Sequence, residues 1–266
     1  MVQNLLRKVL RPQPARRTGG HSSLALPDYE ELYEQHAQQH PEDEAVGNGD
    51  FEIVGRIELS IVRWAGLKID STLLDFGCGT GRLATHAIPY LSKGQYVGLD
   101  ISATMIERAK ARCSLIPAIN HPPKWLVETD PGLPSVPNCS ADFACAFSVF
   151  THMDTEDAFL TLQSLRRVLR PGGKLALSLL LLDESREAQN ILIMSSLIPY
   201  KDRRRRVISV TTCRSYFNQV AKMAGWNVVE WVAHDAPVFA YGPGDSLRGA
   251  LGQAVCLLEK PESSDP

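Results

Sequence analysis

Thr72-Leu73-Leu74-Asp75-Phe76-Gly77-Cys78-Gly79-Thr80-Gly81-Arg82 decides how the rest of the chain folds. Thr72 to Phe76 read as a buried strand, and glycine then alternates at 77, 79 and 81 before a helical pattern begins. Glycine admits positive φ and puts no Cβ in the way of a ligand. A helix starting here would turn unpaired N–H groups and a positive dipole end toward the strand tip. In an open α/β sheet that tip is where ligands bind. The stretch from Asp75 to Arg82 is therefore expected to form a small-molecule site.

The dinucleotide fingerprint G-x-G-x-x-G ends on a glycine that permits close helix–strand packing. Here the spacing is G-x-G-x-G and the sixth position is Arg82, which departs from that pattern. Asp100 closes a second apolar run, Tyr96-Val97-Gly98-Leu99, where a carboxylate can accept both ribose hydroxyls of an adenosine. A glycine turn in some other α/β protein stays open on these two features alone.

Five ordered motifs resemble the class I S-adenosylmethionine-dependent methyltransferases. Leu74 to Arg82 looks like the family's first motif, and Asp100-Ile101-Ser102 its ribose-binding acidic motif. Asp130, in Val127-Glu128-Thr129-Asp130, sits where the adenine-contacting residue usually lies. Phe147-Ser148-Val149-Phe150-Thr151-His152 and Leu169-Arg170-Pro171-Gly172-Gly173 are similar to the signatures of the fourth strand and of the approach to the fifth. The match spans roughly residues 50–182. The resemblance implies a Rossmann-like, doubly wound sheet of seven mostly parallel strands, with an antiparallel last strand and helices on both faces. It implies S-adenosylmethionine as cofactor, bound by Asp75, Gly77, Cys78, Gly79, Thr80, Gly81, Arg82, Asp100, Ile101, Met105, Asp130, Phe147 and Ser148.

Strands alternating with helices along the chain independently read as an α/β fold with a parallel sheet. Asp28 is expected to cap a helix running to His40, stopped by Pro41 and the acids Glu42, Asp43 and Glu44. A second helix starts near Asp50, with Val54, Ile57, Ile61 and Trp64 on one face and Gly66 closing it. Leu83, Ala84, Ala87, Ile88 and Leu91 form the inner face of the next helix; Ser102 caps the one after, with Met105 turned inward. Met105 reads as core or as a contact to adenine. Further strands are expected at 124–128, 142–147 and 175–182, and a helix from Asp154 or Thr155 to Leu169. Thr211 or Thr212 should cap a helix to Ala224, and 228–232 with 254–258 should form an antiparallel pair. The loop between them, with His234, Asp235, Tyr241 and four glycines, could gate a pocket. Residues 28–260 thus read as one domain: N-terminal helices (28–66), a cofactor half (72–182) and an acceptor side (183–260).

The composition, 44% apolar and 22% charged, suits a globular chain with a sizeable core. A net charge of −2 argues against a general polyanion binder, so no specific nucleic acid is expected. An Asn-Pro-Pro-Tyr-like tetrapeptide, which nitrogen-directed nucleic-acid enzymes of the family use, is absent at the fourth strand. The six cysteines form no C-x-x-C pair, which fits reduced thiols in the cytoplasm. The histidines are scattered along the chain and show no zinc-type cluster, so no metal is expected. Residues 1–27 carry five basic side chains and no acid. They read as a disordered tail, with weak contact to an anionic membrane as the alternative.

A sulfonium methyl is already activated, so its transfer needs positioning above all. For a hydroxyl acceptor, His152 is the best-placed general base, because it follows the fourth-strand tip and imidazole titrates near neutral pH. The alternative is a histidine that only shapes the pocket. The acceptor is read as a small molecule or a sugar or glycan hydroxyl, and Arg203–Arg206 would fit an anionic one. A nicotinamide-dependent oxidoreductase and a cofactor-binding protein without turnover remain the rival readings.

Overall fold

The computed structural model describes residues 29–40, 49–116, 121–203, 206–239 and 248–262. The tail at 1–27, the Asp28 cap, the stop at 41–44, Arg204, Arg205 and the Tyr241, Gly242 and Gly244 part of the late loop lie outside the described residues.

Strand β1 (Thr72–Phe76) sits in the interior of the sheet because both of its faces are apolar. Side chains alternate across a strand, so Leu73 and Leu74 enter cores on opposite sides. Beside β1 run β2 (Gln95–Asp100) and β4 (Ala141–Ala146), both parallel to it. The order across the sheet is β3 (Lys124–Val127), β2, β1, β4, β5 (Leu169–Leu179), β9 (Ala254–Glu259) and β6 (Asn227–Val232). Within this sheet β9 alone runs opposite to the other six strands, as the sequence led us to expect. A separate two-stranded ribbon pairs β7 (Val238–Phe239) with β8 (Arg248–Gly249).

Helices α2 (Phe51–Trp64) and α3 (Ala84–Tyr90) cover one face, and α5 (Thr155–Val168) and α8 (Arg214–Met223) the other. Helix α4 (Ala103–Cys113) follows β2, and α1 (Tyr29–Gln39) packs beside it, Ala37 against Met105. Asp50, Ser102 and Asp154 cap their helices through side-chain oxygens, as their residue types predict. β5 starts earlier than expected: its Arg170–Gly173 turn bulges out of register with β4, with Gly172 at φ 70°. Lys260 ties that turn down, since Gly172 N–H donates to its carbonyl and its own N–H donates to Gly173.

Three local expectations fail for geometric reasons. Trp64 is exposed; the buried stripe of α2 runs through Ile57, Glu58, Ile61, Val62 and Ala65, and at 100° per residue Trp64 lies about a quarter-turn from its centre. Cys213, not Thr211 or Thr212, precedes α8, because the backbone of Thr212 bridges to Leu180 and Leu182. α3 begins at Ala84 rather than at the glycines, so residues 77–83 form turns and the tip of β1 faces loop backbone instead of a helix end.

Candidate active site

The turn after β1 is held by the turn after β2. Gly77 and Cys78 both donate their N–H groups to the carbonyl of Leu99 at 2.8 Å, and Gly79 N–H donates to Asp100 Oδ2 at 2.9 Å. Asp100 Oδ1 accepts from Ser102 N–H at 2.9 Å. Burial raises the Asp100 carboxyl to about 6, against these backbone hydrogen bonds, which lower it. Gly77 has φ +74°, and a Cβ there would come within 2.4 Å of Val149 Cγ2. Only glycine lets β1 and the segment after β4 close together at this point.

Between these turns opens a cavity of about 640 Å³, within the range of small-molecule sites. Asp75, Gly77, Cys78, Gly79, Arg82, Asp100, Ile101, Met105, Asp130, Phe147, Ser148 and His152 all line it. Thr80 and Gly81 do not: Thr80 is fully buried, and Gly81 packs against Ala109 of α4. The Asp75 carboxylate is turned into the core, where it accepts from Tyr96 Oη at 2.5 Å and Cys145 Sγ at 3.4 Å. Burial pushes it up to about 7, offset in part by the Tyr96 hydrogen bond. Arg82, on the same wall, is engaged by Glu58: its Nε and Nη2 reach Glu58 Oε1 at 3.1 and 2.6 Å, with both side chains buried. Asp130 is exposed at the rim and accepts from Gly132 N–H at 2.7 Å.

Phe147, Ser148 and His152 come from the segment after β4. Ser148 has φ +57°, a conformation that costs a non-glycine residue energy and persists only where its surroundings fix it. Its N–H donates to Ser178 Oγ at 2.7 Å, its hydroxyl accepts from Gln253 Nε2 at 3.0 Å, and Ser178 in turn donates to Gln253. His152 sits on a short 3₁₀ turn, Phe150–His152. Its Nδ1 lies 2.6 Å from the carbonyl of Ile208. A carbonyl only accepts, so Nδ1 carries the hydrogen and the neutral ring keeps a lone pair on Nε2. Burial lowers the His152 pKa from its ordinary 6.5, opposed by the Ile208 contact, so the ring is neutral at neutral pH.

Residues 74–175 match the family described as methyltransferase domain. Residues 74–175 therefore carry a methyltransferase domain, and the motifs within them resemble those of the class I S-adenosylmethionine-dependent methyltransferases. The chain is 32% identical over 117 residues to a 2-phytyl-1,4-naphtoquinone methyltransferase of Trichormus variabilis, over 44% of this chain and 49% of that protein. To the O-methyltransferase resE of Aspergillus sclerotiorum it is 31% identical over 133 residues, 46% of each. The chain thus spans about half the length of these curated relatives. Among solved structures, the magnesium protoporphyrin IX methyltransferase of Synechocystis with bound SAM aligns over 90% of this chain and all of that one, with TM-score 0.56 and 16% identity. The mitomycin 7-O-methyltransferase aligns over 86% of this chain and 60% of that one, with TM-score 0.61 and 15% identity. These two show the fold.

Other walls of the cavity come from outside the motifs. Tyr29, Tyr33 and His36 of α1 line it, at helical spacing i, i+4, i+7, a signal the sequence carried. The Tyr29 hydroxyl donates to the His152 carbonyl, and the Tyr33 ring stands edge-on to the imidazole with centroids 6.2 Å apart. On α1, Glu34 accepts from Ser102 Oγ at 2.6 Å and from the Thr104 hydroxyl and N–H. Burial pushes the Glu34 carboxyl up, but these hydrogen bonds outweigh it and hold it at about 2. α1 is thereby latched over the cavity at the start of α4. Glu58, Asp157, Thr161 and Val207 complete walls that no motif signalled.

Of the basic run at 201–206, Lys201, Arg203 and Arg206 are exposed and do not line the cavity; Val207 is the first residue after the run that does. The described part of the late loop also lies elsewhere: Gly249 abuts Ile57 on α2, and neither His234 nor Asp235 reaches the cavity. Among the described residues no group of three or more His, Cys, Asp and Glu side chains could hold a metal ion.

Proposed function

We propose that this protein transfers a methyl group from S-adenosylmethionine to a hydroxyl on a small, largely apolar molecule. One observation carries the reading: the glycine turn and Asp100 bound the same cavity as a histidine whose Nε2 holds a free lone pair. The residues fit the cofactor. Gly77 lets the turn close against Val149 beside the cavity, and Asp100, held by Gly79 and Ser102, keeps lone pairs for ribose hydroxyls. Asp130 stands at the rim for the adenine, and Arg82 with Glu58 for the charged amino-acid end. When bound, the cofactor supplies a methyl carbon that an oxygen can attack in line, with the C–S electron pair leaving on sulfur. On this reading residues 72–182 form the cofactor half, and α1 with residues 183–260 the acceptor side.

The chain's own residues do the rest. His152 Nε2 takes the hydroxyl proton as the oxygen attacks, and the Ile208 carbonyl holds the imidazole in the tautomer that can do so. Tyr29, Val149, Met153 and Val207 give the cavity apolar walls, which exclude water and favour an aromatic or lipophilic hydroxyl over a glycan. The relatives named for naphthoquinone and for O-methylation support a small-molecule acceptor.

His152→Gln should lower kcat by about 10²–10⁴-fold with little change in KM for the cofactor. Since burial holds the His152 pKa below 6.5, wild-type kcat should be flat at neutral pH and fall as the ring protonates below that value. The variant should lack that acid limb. Release of S-adenosylhomocysteine across a panel of phenols and hydroquinones is the readout, and a variant within twofold of wild type at every pH would reject the base.

A further inference from the structure

We propose that the arm formed by α6 (Arg186–Ser196), α7 (Tyr200–Arg203) and the basic run that follows is a docking element for an anionic lipid surface. It seats the protein there with the cavity wall beside the membrane. The proposal concerns this surface alone and holds whether or not the methyl-transfer reading does.

Helix α6 leaves the carboxyl edge of the sheet after β5 and buries only Ala188. A helix facing water carries charged and polar residues on its outer side. Here Ile191-Leu192-Ile193-Met194 has no charge at all. Leu192 is 49% exposed, Ile193 57%, Met194 64% and Leu197, just beyond the helix, 71%. Four large apolar side chains within six positions therefore face solvent. Immediately afterwards Lys201-Asp202-Arg203-Arg204-Arg205-Arg206 sets five basic residues against one acid. An exposed apolar helix end bordered by cations matches the boundary between acyl chains and anionic headgroups. At 11 residues α6 is too short to cross a bilayer, so it would lie in the interface plane.

Two other occupants are disfavoured by charge. A two-fold contact between copies uses the same patch on both, so it would offer the basic run no complementary acidic one. The chain's own residues 1–27 carry five basic side chains and no acid, and would meet the run with like charge. An anionic lipid surface complements both the exposed apolar helix end and the cations. The arm is also continuous with the site: Val207 lines the cavity, the Ile208 carbonyl fixes His152, and Val210 N–H donates to the Thr151 carbonyl at 2.7 Å.

The test is flotation of the full chain with vesicles of phosphatidylcholine alone or with phosphatidylglycerol, across a salt series. We expect binding to the anionic vesicles that weakens as salt rises. Each basic residue near such a surface contributes about fivefold, so Arg203→Gln with Arg206→Gln should weaken binding by about 25-fold. Ile193→Ser with Met194→Ser should also release the protein, with thermal stability and S-adenosylhomocysteine affinity unchanged for both double variants. Absence of vesicle binding, equal binding to neutral vesicles, or binding that survives both double variants would overturn the proposal. So would a dimer in sedimentation velocity that Met194→Glu dissociates.

Discussion

Two regions at the carboxyl edge of the same sheet are built in opposite ways. At the β1–β2 tips the polar groups are satisfied from within: loop N–H groups go to Leu99 and Asp100, Asp75 to Tyr96 and Cys145, Arg82 to Glu58. Along α6 the pattern inverts, and large apolar side chains stand in water beside a run of cations. The first region holds its shape before any ligand arrives, which is what positioning chemistry requires. The second has little inside the protein to complete it. On the two proposals, the preorganised tips would serve the chemistry and the incomplete arm the docking.

Substitutions can break that contrast in order of size. Glu58→Ala removes the carboxylate from a buried guanidinium and should destabilise the fold by about 3–5 kcal/mol, read as the urea midpoint. A loss under 1 kcal/mol would mean the tips are less interlocked than described. Gly77→Ala adds a Cβ against Val149 at a positive φ, and the strain of about 1–3 kcal/mol should weaken cofactor affinity by about 5–150-fold. Unchanged affinity would show that the turn need not approach the segment after β4. Met194→Ser on the arm should leave stability within about 0.5 kcal/mol of wild type, because the side chain packs on little. A larger loss would place the arm with the core instead.

The region from β1 to α4 was legible because its determinants are local. Glycines at 77 and 79, Asp100 after an apolar run and Ser102 as a helix cap each impose a backbone geometry within a few residues. Sequence reading assigned too much to proximity, however. Thr80 and Gly81 lie in the motif yet pack away from the cavity, and Arg82 answers to Glu58, 24 residues earlier. The Ser148–Ser178–Gln253 chain links three segments spread over 105 residues, and no local pattern marks a glutamine ahead of a last strand. The Ile208 carbonyl that sets the His152 tautomer is a backbone group, which side-chain identity does not reveal. Tyr29 and Tyr33 were the exception: their helical spacing could have been read, but nothing in it says what the stripe covers.

The most direct test is calorimetric titration of S-adenosylhomocysteine into the wild-type chain and into Asp100→Ala. One site in the wild type, weakened by about 1–3 kcal/mol or 5–150-fold in the variant, is the predicted result, since the carboxylate held by Gly79 and Ser102 would have been removed from the ribose. No heat with the wild type, or the same affinity in both proteins, would contradict the assignment of this cavity to the adenosyl cofactor.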